Sequence, residues 1–168
     1  VATFLAASAA AEIAAFEVNL SCPNVDGGKL PFATDPHVAE SIMASVRKVT
    51  DKPLFAKLSP NVSRISDMAK AVEAGGAHGI TAVNTLLGMQ VDWRSGRFGL
   101  ATRMGGYSGT AIKPVALRCA YECVQAVEIP VIGCGGISTA SDVLEFLAVG
   151  CSAIQVGTAS FSDPGLLS

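Results

Sequence analysis

The 168-residue chain is half hydrophobic and only 15% charged, carries 17 glycines, and has a formal net charge of −2. With a mean hydropathy of +0.45, this composition fits one α/β domain with a buried sheet and glycine-rich turns. The weak charge leaves no basic footprint for nucleic acid, and no apolar run reaches the ~18–20 residues that cross a bilayer.

Ala2 to Ala11 has helix-forming composition, and the alanine-rich start lacks the basic segment of a signal peptide. It leads into Ile13 to Val18, an apolar run that reads as the end of a buried strand. Asn19-Leu20-Ser21-Cys22-Pro23-Asn24 then crowds two carboxamides, a hydroxyl and a thiol at the strand mouth. Such groups are costly to bury without partners, so a ligand that supplies partners explains them. An Asn/Ser/Pro turn that caps its own backbone is the other reading. A polar loop from Val25 to Thr34 carries Gly27-Gly28.

Asp35-Pro36 starts a helix, because Asp caps and Pro is tolerated in a first turn. Val38, Ile42, Met43 and Val46 recur there at helical spacing. Pro53 to Leu58 is a strand containing one lysine, Lys57. Ser63 is a candidate cap for a helix over Ile65 to Ala74, which stops at Gly75-Gly76. Gly79 to Val83 is a strand ending at Asn84-Thr85. Leu86 to Thr110 reads as an irregular stretch, with Trp93 and a Gly105-Gly106-Tyr107-Ser108-Gly109 turn; so long a connection is often functional. A helix follows from about Lys113 to Ala126, then a strand over Pro130 to Ile132 opening into Gly133-Cys134-Gly135-Gly136. Ser138 to Val149 is a helix, and Ser152 to Val156 a strand ending at Gly157-Thr158, with no closing helix after it.

Alternating strands and helices are the signature of βα units on a parallel sheet. A complete (β/α)₈ TIM barrel takes ~250 residues, and five strands cannot close one. The expected fold is therefore α/β: the later part of such a barrel, about five βα units truncated at both ends, forming one partial domain over residues 1–168.

The cysteines are Cys22, Cys119, Cys123, Cys134 and Cys151, an odd number that argues against a disulfide framework and suits the cytoplasm. Cys119 and Cys123 share a helix face as small buried hydrophobes, and nothing nearby completes a metal site.

In a barrel the chemistry lies at the C-terminal ends of the strands. Those ends carry Asn19 to Asn24, Lys57, Asn84-Thr85, Gly133 to Gly136 and Gly157-Thr158. The last two are glycine turns whose amides suit a phosphate. Lys57 in an apolar strand is either a cation facing an electron-rich ligand or a side chain snorkelling from the strand edge. His37 and His78 are expected away from this rim, which leaves no Cys–His nucleophile pair. Cys22 acting as a general base needs no such partner.

Six ordered segments carry a family resemblance: Asn-Leu-Ser-Cys-Pro-Asn-Val (19–25), Lys-Leu-Ser-Pro-Asn-Val (57–62), Asn-Thr-Leu-Leu-Gly (84–88), the Gly-Gly-Tyr-Ser-Gly-Thr-Ala-Ile-Lys-Pro-Val-Ala-Leu run (105–117), Gly-Cys-Gly-Gly (133–136) and Val-Gly-Thr-Ala (156–159). Together they resemble the class 1 dihydroorotate dehydrogenases. The Gly27-Gly28 loop and Phe32-Ala33-Thr34-Asp35-Pro36 most resemble class 1B, the catalytic subunit of the NAD-linked enzyme.

The resemblance implies FMN-dependent oxidation of dihydroorotate to orotate in pyrimidine biosynthesis, with Cys22 as the base at C5 and hydride passing from C6 to N5 of FMN. It implies substrate contacts by Asn19, Asn24, Asn84 and Thr85. It implies flavin contacts by Asn19, Lys57, Val83 and Gly109, and a phosphate cradle of Gly135, Gly136, Gly157 and Thr158. No metal site is implied. The implied assembly is a homodimer with a separate subunit holding FAD and an iron–sulfur cluster; this chain has no cysteine cluster for one.

Tyr107 and Thr110 stand where the family usually has Leu and Pro, Ala33 where it has Gly, and Cys134 where Met is common. The family's first third, with a further substrate lysine and an Asn-rich loop, has no counterpart here. The alternatives are a class 1A enzyme that uses fumarate, a related dihydropyrimidine dehydrogenase, or a non-catalytic fragment that no longer binds FMN.

Overall fold

The computed structural model describes residues 13–21 and 34–166. The helix expected over Ala2 to Ala11, most of the Val25 to Thr34 loop, and Cys22, Pro23 and Asn24 lie outside the described residues.

In chain order the elements are β1 (Phe16–Asn19), α1 (Pro36–Arg47), β2 (Leu54–Leu58), α2 (Ile65–Ala74), β3 (Gly79–Ala82), β4 (Leu86–Met89), β5 (Val91–Asp92), β6 (Arg97–Phe98), β7 (Met104–Tyr107), a 3₁₀ turn (Thr110–Ile112), α3 (Lys113–Val124), β8 (Val131–Cys134), α4 (Ala140–Ala148), β9 (Ala153–Gln155) and α5 (Thr158–Ser162). Five strands form one parallel sheet in the order β1-β2-β3-β8-β9. Its register places Asn19 beside Lys57, Lys57 beside Thr81, Thr81 beside Ile132 and Ile132 beside Ala153. Parallel neighbours need crossovers, and the helices supply them.

The helices cover one face of this sheet. Leu54, Ala56 and Leu58 of β2, Ile80 and Ala82 of β3 and Val131 of β8 pack with Met43, Val72, Ala116, Cys119, Cys123 and Phe146 in a continuous apolar layer. Cys119 and Cys123 are buried as expected of small hydrophobes, and burial pushes both thiols up. At Gly133 a Cβ would lie 2.3 Å from the Phe146 ring, so β8 is bare where α4 presses onto it. The opposite face carries the alternate residues, among them Phe55, Lys57 and Thr81.

Asp35 caps α1 as expected, its Oδ1 accepting from the amides of His37 at 2.9 Å and Val38 at 3.4 Å. Ser63 does not cap α2. Arg64 holds that position in extended conformation and no side chain bonds the first turn. The stretch from Leu86 to Thr110 is not irregular: β4 pairs antiparallel with β7, and β5 with β6, as one protruding ribbon. Gly105 and Gly106, expected in a turn, are strand residues opposite Gly88 and Leu87. The ribbon is exposed over most of its length, with Trp93 78% accessible and only Leu86, Gly88 and Gly105 of its strands half-buried, so its sequence carries little of the apolar–polar alternation of a half-buried strand. The helix α5 follows β9 where none was expected.

A charged bracket fixes the turn after β8. Lys113 Nζ, at the start of α3, lies 2.6 Å from Asp142 Oδ1 and 2.9 Å from Glu145 Oε2. The other oxygen of Asp142 accepts from the amides of Ser138 and Thr139 at 2.9 and 2.8 Å, while Thr139 Oγ1 accepts from the Asp142 amide in a capping box. The Lys113 ammonium first, and then the Ser138 amide, hold the buried Asp142 carboxyl well below the usual carboxylate range.

Two outcomes follow from this packing. Phe146→Ala opens a cavity over Gly133 and lowers stability by about 3–5 kcal/mol, read from the urea midpoint. A carboxylate whose folded pKa is depressed contributes fully above its unfolded value of ~3.9 and loses that contribution as pH falls toward the folded value. Asp142→Asn therefore lowers Tm by a constant amount above about pH 5, and the gap to wild type narrows below about pH 4; Tm against pH for both proteins measures it.

Candidate functional site

Because the five strands run the same way, their C-terminal ends meet along one edge of the sheet. A cleft of about 720 Å³ opens there, within the usual range for small-molecule sites. Lys57, Val83, Asn84, Thr85, Gly109, Gly135, Gly136, Gly157 and Thr158 all line it. These residues come from the ends of β2, β3, β8 and β9 and from the base of the ribbon.

Asn19 stands beside this cleft and is tied to it. Its Oδ1 accepts from the Ser21 amide at 3.0 Å, from Ser21 Oγ at 2.9 Å and from Asn84 Nδ2 at 3.3 Å. Asn84 Nδ2 also bonds Ser21 Oγ, and Asn84 Oδ1 accepts from the Thr85 amide at 2.8 Å. Of the sequence's two readings of the polar cluster, self-capping therefore holds in part: Ser21 turns back on Asn19. The same knot crosses from the end of β1 to the end of β3. It fixes the residue before Cys22 at the cleft; Cys22 and Asn24 themselves lie outside the described residues.

The glycine turn after β8 is held in shape from behind. Gly135 and Gly136 have φ of 125° and 76°, a region that favours glycine. A Cβ on Gly136 would lie 2.7 Å from the backbone nitrogen of Lys113, and one on Gly135 would lie 2.8 Å from Ala116 Cβ. At Gly157, by contrast, a Cβ would meet nothing within 4 Å, so its backbone opens onto free space in the cleft. Thr158 Oγ1 donates to Ser108 Oγ at 2.9 Å, joining the end of β9 to the base of the ribbon.

Lys57 is paired, not snorkelling. Its Nζ lies 3.2 Å from Gln155 Oε1 and 3.6 Å from Glu17 Oε1, and its side chain is 21% exposed. Among the described residues, Lys57 and Asp163 are the charged residues that line the cleft. Cys134 lines it too; burial pushes this thiol up, and the nearby Lys57 ammonium opposes that shift. His78 sits at the opposite end of β3, where its Nδ1 accepts from the Leu54 amide at 3.2 Å. His37 lies in the first turn of α1 and is not among the residues that line the cleft.

Sequence reasoning passed over Glu17, Asn61 and Gln155. Asn61 Nδ2 donates to the Thr85 carbonyl at 3.0 Å and its Oδ1 accepts from the Leu87 amide at 2.9 Å, bracing the root of the ribbon. Gln155 and Glu17 were each visible as a polar residue in an otherwise apolar strand, the same signal that singled out Lys57.

The sequence pattern of the dihydroorotate dehydrogenase family matches residues 4–168. The chain is 52% identical over 164 residues to the "Dihydroorotate dehydrogenase B (NAD(+)), catalytic subunit" of Bacillus mycoides (strain KBAB4), covering 98% of this chain and 53% of that relative. It is 52% identical over 157 residues to the subunit of the same name from Geobacillus sp. (strain WCH70), covering 94% and 50%. The chain thus spans about half the length of the curated relatives it matches. In fold it is similar to the crystal structure of DHODH in complex with ferulenol from Eimeria tenella, with a TM-score of 0.73 at 23% identity over 91% of this chain and 46% of that one. The parallel sheet is accordingly a part of a (β/α)₈ barrel. A parallel strand-end rim, glycine turns on its last two strands and this degree of identity along almost the whole chain make it a member of the dihydroorotate dehydrogenase family.

Proposed function

We propose that this chain is the FMN-binding and proton-abstracting part of a B-type dihydroorotate dehydrogenase, which oxidises dihydroorotate to orotate in pyrimidine biosynthesis. The observation that carries the reading is the single cleft shared by Lys57, Asn84, Thr85 and both glycine turns, with Asn19 and Ser21 bonded to its edge.

The residues fit FMN. The turns at Gly135-Gly136 and Gly157-Thr158 suit its phosphate: glycine lets the first close against α3 with its backbone on the cleft, and at Gly157 the Cβ position is open. Lys57 supplies a cation for the electron-rich edge of the ring, and Val83 and Gly109 complete the wall. FMN bound in the cleft supplies the hydride acceptor for C6 of the substrate. Asn19, Asn24, Asn84 and Thr85 orient the substrate through carboxamide and hydroxyl groups, which recognise a planar polar ring without adding charge. Cys22 takes the C5 proton; its thiolate is the active form, and a site that supports the thiolate is what the task requires.

The name "catalytic subunit" carried by the relatives supports a separate electron-transfer partner. The reading assigns FAD and an iron–sulfur cluster to that partner, NAD as the final acceptor, a homodimeric core and a cytoplasmic setting. No helix among the described residues is long and apolar enough to cross a membrane.

The test uses protein expressed from its whole coding sequence. We expect flavin absorbance and, without oxygen, bleaching by dihydroorotate in a single turnover; a protein that binds no flavin, or is bleached by dihydrouracil instead, overturns the reading. Cys22→Ser slows that bleaching by at least about 10²-fold, since a hydroxyl is a far poorer base near neutral pH. Gly136→Val drives a side chain into the start of α3 and strips the flavin, measured as the ratio of visible to protein absorbance.

A further inference from the structure

The uncovered face of the sheet holds a polar group that the proposed mechanism leaves unused. Glu17 of β1 projects beneath the cleft and is gripped at one oxygen. Its Oε2 accepts from Thr81 Oγ1 at 2.6 Å and from Gln155 Nε2 at 3.0 Å. Thr81 is fully buried, while the Glu17 side chain that it anchors is 32% exposed. The other oxygen, Oε1, faces Lys57 Nζ at 3.6 Å, and Nζ donates to Gln155 Oε1 at 3.2 Å. Four strands therefore contribute one residue each: Glu17 from β1, Lys57 from β2, Thr81 from β3 and Gln155 from β9.

We propose that Glu17 is a positioning residue that acts through Lys57, setting how much positive charge the lysine presents to the ligand in the cleft. An ammonium has three N–H donors. Gln155 takes one, and Glu17 stands 3.6 Å away without a hydrogen bond, which leaves donors for the cleft. The Glu17 carboxylate is held at arm's length by Thr81 and Gln155, and this keeps it from collapsing onto Lys57 in a close pair. Lys57 is the one cation lining the cleft among the described residues, with Asp163 the one lining anion, so the carboxylate behind Lys57 bears directly on the positive side of the local field. Gln155 divides its amide between the two, accepting from Lys57 and donating to Glu17, and so holds the charges apart.

This inference rests on the FMN reading and deepens it. A carboxylate behind the lysine disfavours negative charge on the flavin ring, so it lowers the reduction potential and weakens sulfite, which adds reversibly to flavin N5 and leaves negative charge on the ring. In protein expressed from its whole coding sequence, Glu17→Gln keeps the side-chain length and removes the charge. Its bound FMN is expected at a higher potential, and sulfite is expected to bind roughly tenfold tighter, about what the removal of one partly screened charge is worth. Gln155→Met releases Lys57 toward Glu17 and is expected to lower the potential. Opposite shifts from neighbouring positions are not produced by general loosening of the fold.

Unchanged or lower potential in Glu17→Gln overturns the proposal, as does a raised potential in Gln155→Met. If Glu17→Gln does not fold, Gln155→Met decides alone. Wild-type protein that binds flavin, with a potential that ignores both variants, defeats this inference and leaves the FMN reading standing. Wild-type protein without flavin defeats both.

Discussion

Parallel pairing is the constraint on which the molecule depends. Asn19, Lys57 and Thr81 sit side by side only because β1, β2 and β3 run in the same direction in one register. Reversing any strand would send its polar end to the far side of the sheet. A shift of one residue would turn Lys57 into the helix layer and Leu58 onto the open face. The apolar pattern forbids that slip, because Leu54, Ala56 and Leu58 have no other place to be buried. Hydrophobic burial thereby fixes the direction of the residues that carry chemistry.

Around that frame the rim is assembled by bonds between strand ends that are far apart in the chain. The Asn19–Ser21–Asn84 knot joins the first strand to the third, and Asn61 joins the second to the ribbon. Thr158 and Ser108 close the opposite side. Each of these groups meets its partner before any ligand arrives, which reduces the ordering cost of binding. The Lys113–Asp142 bracket does the same for the glycine turn after β8. That turn cannot carry side chains, so its stability comes from the elements behind it.

Charge in the cleft is sparse and divided. Lys57 faces it, Glu17 stands behind, and Gln155 keeps them apart. Cys134 sits in the same field as a neutral thiol, its burial favouring the protonated form while Lys57 pulls the other way.

Much of this was legible from residue order alone. Short apolar runs alternating with helical periodicity determined the βα architecture, and Asp35-Pro36 determined where α1 begins, because these signals act over a few residues. The strand-end polar clusters were legible for the same reason. The ribbon was not: its residues are exposed, and its glycine pairs look like turns until a partner strand lies opposite. Nor was the capping of α2, where Ser63 has the right chemistry but Arg64 takes the position. The partners of Lys57 were beyond sequence reasoning altogether. Glu17 and Gln155 are 138 residues apart, and only the curvature and order of the folded sheet bring both to the same ammonium.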